Sequence, residues 1–148
     1  MLYFAFGSNL DPDQMLARCP SAVMGTCAVL FDHALVFAGH SSRWGGGVAS
    51  VIRAERRRVQ GVIYTISRED MASLDRIEGV PYAYSRVERV VVDKHSRRRR
   101  VHIYVQPEDG LERRLPGLEY FDVILRAYRE YGFDRRQLAA AIQIEETP

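Results

Sequence analysis

The sequence predicts an α+β domain in which a mostly antiparallel sheet, open or closed into a barrel, has helices at its edges. Between residues 22 and 66, short apolar and β-branched runs follow one another, with Gly-, Ser- or charge-rich turns between them. Helical patterns stand before and after this segment instead of alternating with its strands, and the sequence contains no GxGxxG motif. A doubly wound nucleotide-binding fold is therefore not supported.

Length and composition fit one globular domain over residues 1–148, with 47% hydrophobic and 27% charged residues. No basic leader precedes the first apolar run, and no apolar stretch approaches the roughly 18 residues of a membrane span. We expect a cytoplasmic protein that does not bind a membrane.

Cys19 and Cys27 match no disulfide framework or metal-ligand spacing, so both are interpreted as reduced packing residues. Neither a metal nor a cofactor is expected.

The chain begins with a predicted buried strand at residues 3–6, which breaks at Gly7-Ser8-Asn9. A short helix should begin at Pro12, because Asp11 can cap it and Pro12 has no amide to leave unpaired. Gln14 is placed to reach back in a capping box.

The next segment is predicted to form a sheet, with strands at residues 23–30, 34–39, 48–53 and 59–66. A helix over residues 67–77 follows, because Ser67 suits its N-cap and apolar residues then recur at helical spacing. Gly79 should stop this helix. Glu78 is therefore predicted to lie at its very end.

A hairpin is predicted from strands at residues 85–93 and 99–106, followed by a loop at 107–117. The amphipathic pattern of residues 118–131 predicts a helix whose inward face consists of Phe121, Ile124, Leu125 and Tyr128. Asp134 and Gln137 should open a last helix.

Two local features are candidates for chemistry. Gly7-Ser8-Asn9 joins a strand to a helix and can present several unpaired amides to one point, which suits a carboxylate or an oxyanion. The alternative interpretation is a plain turn.

Glu78 lies at the negative end of a helix dipole, which is an unfavourable place for a carboxylate. Unfavourable placements of this kind occur where function requires them. An exposed helix-end glutamate is the alternative.

Other chemistries find less support. Ser8 lacks the GxSxG context of a hydrolase nucleophile, and the four histidines show no HExxH or HxH spacing. Arginine runs at residues 56–58 and 97–100 fall at predicted hairpin tips, where water solvates them. With Tyr64 and Tyr104 nearby in sequence, they could instead form a nucleic-acid face, although a net charge of +2 does not favour it.

Four segments together resemble the gamma-glutamylcyclotransferase family, also described as AIG2-like. Residues 3–10 resemble its Y-x-x-Y-G-S-N-L signature, and residues 44–49 its W-x-G-G-hydrophobic-A segment. Residues 59–64 resemble its V-x-G-V strand, and residues 74–80 its L-D-x-x-E-G element. Their order and spacing also match, over roughly the first 105 residues. Phe6 is a visible departure, because the family usually has tyrosine at that position.

The resemblance implies a small, mixed, mostly antiparallel β-barrel flanked by helices, and an activity that splits a gamma-glutamyl amide into 5-oxoproline and a free amine. It assigns Glu78 as the acid/base. The substrate-binding residues that it implies are Tyr3, Phe4, Ala5, Phe6, Gly7, Ser8, Asn9 and Leu10, together with Tyr84, Tyr104 and Tyr120.

This reaction suits the residues, because the substrate's own alpha-amine can attack its side-chain carbonyl and no protein nucleophile is needed. One carboxylate of raised pKa can move both protons, and Ile77, Val80, Tyr82 and Tyr84 lie close to Glu78 in sequence. The amides of residues 7–9 would hold the substrate carboxylate or the oxyanion. A silent module that binds a gamma-glutamyl group is the alternative. The leaving amine and the oligomeric state, including a homodimer, stay open.

Overall fold

The computed structural model describes residues 1–143. Its strands are β1 (Leu2–Ala5), β2 (Val23–Ser41), β3 (Gly46–Thr65), β4 (Ser85–Asp93) and β5 (Arg98–Val105). Its helices are α1 (Pro12–Arg18), α2 (Arg68–Glu78), α3 (Leu118–Tyr131) and α4 (Arg136–Ala141). The predicted domain extends to residue 148, and its last five residues lie outside the described residues.

The strands form a closed barrel in the order β1-β3-β2-β4-β5. Every neighbouring pair is antiparallel except β1 and β5, which run parallel and meet where Tyr3 lies opposite His102. This contact closes the sheet and leaves it without a free edge. The predicted α+β class, with a mixed and mostly antiparallel barrel flanked by helices, is confirmed.

The four strands predicted between residues 23 and 66 are in fact two long strands, β2 and β3. Asp32 and Arg56 both have positive φ, 57° and 64°, where the pairing of the strands shifts register between Phe31 and His33. The Asp32 carboxylate accepts a hydrogen bond from the Arg56 amide at 3.1 Å. The charged residues predicted to be turns are therefore accommodated as a bulge, which bends the hairpin without ending it.

The bulge also changes where the first arginine run lies. Arg56-Arg57-Arg58 is inside β3, so its predicted place at a hairpin tip is wrong. In the second run, Arg97 lies in the turn after β4, and residues 98–100 begin β5. The tip of the long β2–β3 hairpin is instead the turn at residues 42–45.

Local signals place α2 as the sequence predicts. The Ser67 hydroxyl accepts from the Asp70 amide at 3.1 Å, which caps the first turn. Gly79 adopts a left-handed conformation, φ 71°, and its amide donates to the last turn. Glu78 is therefore the last helical residue, and packing of the buried Met71 and Leu74 fixes the direction in which the helix ends.

Helix α3 packs Tyr120, Ile124 and Tyr128 into the core, with Phe121 and Leu125 partly buried beside them. Ile124 and Tyr128 were predicted to face inward, whereas Tyr120 was not among the predicted core positions. At the last helix, the Asp134 carboxylate accepts from the Arg136 amide at 3.0 Å, just before α4.

Helix α1 begins at Pro12 with Asp11 as its N-cap, as predicted, and the Asp11 side chain accepts from the Asp13 amide. The predicted capping box is wrong. The Gln14 amide group donates instead to Ser8 Oγ at 2.7 Å and to Asn9 Oδ1 at 3.0 Å. The preceding loop competes successfully for Gln14 because it folds back against α1.

Candidate active site

A cavity of about 530 Å³ opens where the loop after β1 meets the end of α2 and the turn between β2 and β3. Nine of the predicted site residues line it: Tyr3, Phe6, Gly7, Ser8, Asn9, Glu78, Tyr84, Tyr104 and Tyr120. Phe4, Ala5 and Leu10 do not line it; they are fully buried in the core beneath the loop. Their contribution is to anchor the backbone that carries the lining residues.

Glu78 enters this cavity from the C-terminal end of α2, with 18% of its side chain exposed. Burial raises the pKa of its carboxyl group, and the Arg18 guanidinium, whose Nη1 lies 3.8 Å from Glu78 Oε1, partly opposes that rise. Ile77 lines the same cavity. Tyr82 is 89% exposed, so the expectation that it helps to bury Glu78 is wrong.

The raised pKa predicts how Glu78 affects stability. The unfolded state ionises a glutamate at about pH 4.3, whereas the folded state holds the Glu78 proton to higher pH. Stability associated with the protonated folded form is therefore lost as pH rises from about 4 through the folded pKa. We expect the free energy of unfolding of Glu78→Gln, relative to wild type, to increase over this interval and then level off. Urea denaturation at a series of pH values measures it, and a decrease with pH would contradict the sign.

The loop after β1 forms a single 3-10 turn, Ser8–Leu10. The Leu10 amide donates to the Gly7 carbonyl and the Asp11 amide to the Ser8 carbonyl, each at 3.0 Å. The amides of Gly7, Ser8 and Asn9 find no acceptor within the described part of the chain. Three buried or half-buried donors are therefore left available beside the cavity.

Gly7 allows the loop to lie close to β3. A Cβ at this position would be 3.1 Å from the Ala49 Cβ and 3.4 Å from the Tyr120 hydroxyl. A larger residue would push the loop away from both, so the close approach of the backbone favours glycine here.

Hydrogen bonds fix the side chains of the loop. Asn9 Nδ2 donates to the Tyr3 hydroxyl at 3.0 Å, while Asn9 Oδ1 accepts from Gln14 and from Arg18 Nη1, the latter at 3.2 Å. Ser8 Oγ accepts from Gln14. The Asn9 side chain is thus held in one orientation, because its oxygen faces two donors and its nitrogen faces an acceptor.

The hydroxyl groups of Tyr84 and Tyr120 both form hydrogen bonds with the backbone of Ala49 in β3. The Tyr120 hydroxyl accepts from the Ala49 amide at 2.8 Å, and the Tyr84 hydroxyl donates to the Ala49 carbonyl at 2.9 Å. Burial raises the pKa of both phenols, and the Glu78 charge raises them further. Both are therefore neutral, and the Tyr120 proton remains free for another acceptor.

The Tyr104 hydroxyl is held in place by the carboxylate of Asp75. Its hydroxyl donates to Asp75 Oδ1 at 2.6 Å, and the same oxygen forms an ion pair with Arg86 Nε at 3.1 Å. Burial, together with this bond to Asp75, raises the Tyr104 pKa. Because its proton is committed to Asp75, Tyr104 presents lone pairs to the cavity.

Sequence reasoning missed several lining residues, notably Arg18, Gln106 and residues 40–44, which span the end of β2 and the turn after it. Gln106 Nε2 donates to the Ala38 carbonyl at 2.9 Å and to the Val48 carbonyl at 3.2 Å, where β2 and β3 separate. Its position at the end of a predicted strand gave no functional signal. Gln106 and residues 40–44 reach the cavity through the pairing of distant strands, and Arg18 reaches it through the packing of α1 beside the loop after β1.

Residues 40–44, at the end of β2 and in the turn that follows, line the cavity at its outer rim. The Trp44 ring lies 5.2 Å from the Tyr120 ring, and the Arg43 guanidinium lies 5.5 Å from the Trp44 ring. Gly46 and Gly47 leave no room for a side chain, because a Cβ would lie 2.6 Å from the Gly117 amide nitrogen at Gly46 and 2.2 Å from the Arg114 carbonyl oxygen at Gly47. The loop after β5 therefore presses directly against this turn.

Two further observations bear on the predicted chemistry. Within residues 1–143, no three His, Cys, Asp or Glu side chains are grouped so that they could hold a metal ion. The helices of the same described part are also too short or too polar to cross a membrane.

Residues 3–122 match the family model described as gamma-glutamyl cyclotransferase, AIG2-like. The chain belongs to this family. It is 40% identical to a gamma-glutamylcyclotransferase of Mus musculus and 37% identical to one of Homo sapiens, each over 83 residues. Each match covers 53% of this chain and 44% of the relative, so less than half of those proteins is represented. A solved gamma-glutamyl cyclotransferase matches with a TM-score of 0.88 and 28% identity, over 99% of this chain and 90% of that one.

Membership of the gamma-glutamyl cyclotransferase, AIG2-like family confirms the resemblance inferred from the four sequence segments. Phe6, which replaces the usual tyrosine of that pattern, is buried, lines the cavity and lies 6.3 Å from the Phe4 ring. At this point the wall of the cavity is apolar, where a tyrosine would add a hydroxyl.

Proposed function

We propose that this protein is a gamma-glutamylcyclotransferase, which converts a gamma-glutamyl amide into 5-oxoproline and a free amine. The observation that carries the proposal is the presence, in one cavity, of a carboxylate of raised pKa and a loop with free amides. Glu78 and the residues 7–9 loop come from distant parts of the sequence. The activity of relatives in the same family supports the assignment.

In the proposed reaction, Glu78 removes a proton from the substrate alpha-ammonium, which frees the nitrogen lone pair. That nitrogen attacks the gamma-carbonyl carbon, so that a C–N bond forms and the carbonyl oxygen becomes an oxyanion. Glu78 then returns its proton to the departing nitrogen, while the oxyanion re-forms the carbonyl and the original amide bond breaks. The new ring nitrogen releases its second proton to water, which leaves 5-oxoproline and the free amine. The raised pKa of Glu78 suits both steps, because an acid/base works best when its pKa approaches the operating pH.

The cavity offers both hydrogen-bond donors and hydrogen-bond acceptors. The free amides of residues 7–9 and the available hydroxyl proton of Tyr120 suit a negatively charged oxygen, that of the substrate carboxylate or of the intermediate. The lone pairs of Tyr104 suit an ammonium or an amide N–H. A gamma-glutamyl group carries both kinds of partner, which is why it fits this arrangement.

A panel of gamma-glutamyl compounds with different leaving groups tests the proposal. It should contain a gamma-glutamyl amino acid, glutathione, a gamma-glutamylamine and a gamma-glutamyl-protected amine of the kind that serves as a biosynthetic intermediate. We expect 5-oxoproline and the free amine to appear in equal amounts from at least one compound, and the best compound identifies the leaving group. Binding of these compounds without release, measured by calorimetry, would instead identify a silent gamma-glutamyl-binding module.

For the setting of the protein, we propose the cytoplasm, which the unpaired thiols of Cys19 and Cys27 support. A nucleic-acid partner is not proposed, since Arg97 and Arg99 of the second arginine run are already paired with the buried Asp93. Assembly as a homodimer stays a prediction, tested by sedimentation equilibrium.

A further inference from the structure

Arg18, the last residue of α1, lies beside the cavity although nothing in the sequence marked it as functional. Its side chain is only 11% exposed. Arginine is favoured in the last turn of a helix by the dipole, but its burial to this extent is unusual. Nη1 lies 3.2 Å from Asn9 Oδ1 and 3.8 Å from Glu78 Oε1. One guanidinium therefore contacts both the loop after β1 and the end of α2.

The contact with Asn9 determines the direction of a hydrogen-bond chain. Because Asn9 Oδ1 accepts from Arg18 and Gln14, Asn9 Nδ2 must point to the Tyr3 hydroxyl, 3.0 Å away. The Tyr3 oxygen then acts as an acceptor toward Asn9. The Tyr3 proton is left to donate into the cavity that this side chain lines.

The contact with Glu78 places the positive charge of Arg18 beside the Glu78 carboxylate. Within the described part of the chain, the Glu78 charge also acts on three phenols, those of Tyr3 on β1, Tyr84 before β4 and Tyr120 on α3. Burial, together with the Glu78 charge, raises the pKa of these three phenols, so they are neutral at physiological pH. Within residues 1–143, Arg18 is the cation that forms an ion pair with Glu78.

We propose that Arg18 is a positioning residue, which holds Glu78 beside the residues 7–9 loop and fixes Asn9 so that Tyr3 donates its proton into the cavity. The catalytic part of this role depends on the function proposed above. It acts through Glu78 and Tyr3 and requires no contact with the reacting atoms. Loss of the guanidinium should therefore change the titration of Glu78 as well as the rate.

The test compares Arg18→Met, which keeps the aliphatic stem, with Arg18→Lys, which keeps the charge. We expect Arg18→Met to lower kcat/KM for 5-oxoproline release by about 10- to 100-fold, as misplacement of catalytic groups does. The acid limb of its pH profile, where kcat/KM falls as Glu78 becomes protonated, should move to higher pH, because Arg18 lowers the Glu78 pKa. Arg18→Lys should bring the acid limb back toward that of wild type while leaving much of the rate loss, since a lysine cannot reproduce the guanidinium geometry.

Arg100→Met is the matched control. Arg100 also lies 3.8 Å from a carboxylate, that of Glu88, but both side chains are exposed and away from the cavity. This variant should keep the rate and the acid limb of wild type. An acid limb that is equally placed in wild type and Arg18→Met would overturn the proposal, because a purely structural loss lowers the rate without moving it.

A second readout separates this proposal from the reaction itself. The Glu78 carboxyl can be titrated by carbon NMR in each folded variant, with its signal assigned from Glu78→Gln. A higher Glu78 pKa in Arg18→Met upholds the positioning of Glu78 even if wild type releases no 5-oxoproline, and an unchanged pKa overturns it. Should Arg18→Met fail to fold, Arg18→Gln, judged by the same titration, takes its place.

Discussion

Glu78→Gln is expected to lower the rate of 5-oxoproline release by about 10²- to 10⁴-fold, the range that general acid/base catalysis supplies. Glutamine has nearly the same shape but can neither accept the ammonium proton nor return one to the leaving nitrogen. Because the Glu78 pKa is raised, the wild-type acid limb should also lie above the ordinary glutamate range. Steady-state assays across pH, with the best compound of the panel, measure both effects.

Glu119→Gln provides the matched control, since Glu119 is an exposed residue in the first turn of α3. This variant should retain the wild-type rate. Binding of substrate to Glu78→Gln should persist, because the loop of residues 7–9 and the tyrosines are unchanged. Near-full turnover by Glu78→Gln would remove Glu78 from the mechanism and leave the cavity without its assigned acid/base.

Gly61→Ala should lower the free energy of unfolding by about 3 kcal/mol, the upper end of the usual range for an overpacked interior. A Cβ at Gly61 would lie 2.3 Å from the Ala5 carbonyl oxygen and 2.5 Å from the Phe4 ring. The backbone of β1 would have to move away from β3, and β1 carries the loop that lines the cavity. Urea denaturation of the variant and of wild type measures the loss.

Gly132→Ala is the control for Gly61, because both remove a glycine while only one creates a clash. Gly132 has a positive φ of 71° after α3, and nothing lies within 4 Å of a Cβ built there. Its replacement should cost about 1 kcal/mol through the left-handed backbone alone. Equal losses for the two variants would show that conformational freedom, and not the contact with β1, explains Gly61.

Local patterns were sufficient where a few neighbouring residues determine the structure. Ser67 and Gly79 fix the two ends of α2, so the position of Glu78 followed from capping chemistry. The same reasoning failed at Gln14, because its side-chain nitrogen donates to Ser8 and the Asp11 amide, which a capping box would use, donates to the Ser8 carbonyl instead. It failed again at residues 54–58, where charges typical of a turn occupy a bulge within a continuous strand.

The sequence by itself therefore determined the class of the fold, most of its elements and, through four motifs, the family and the candidate acid/base. Only the tertiary structure decided that β1 and β5 pair to close the barrel, and that Arg18 joins Asn9 to Glu78. The physical reason is the distance along the sequence over which each interaction acts. Capping and periodicity act over a few residues, whereas Asn9 and Glu78 are brought to one guanidinium by packing between distant elements, which no local pattern records.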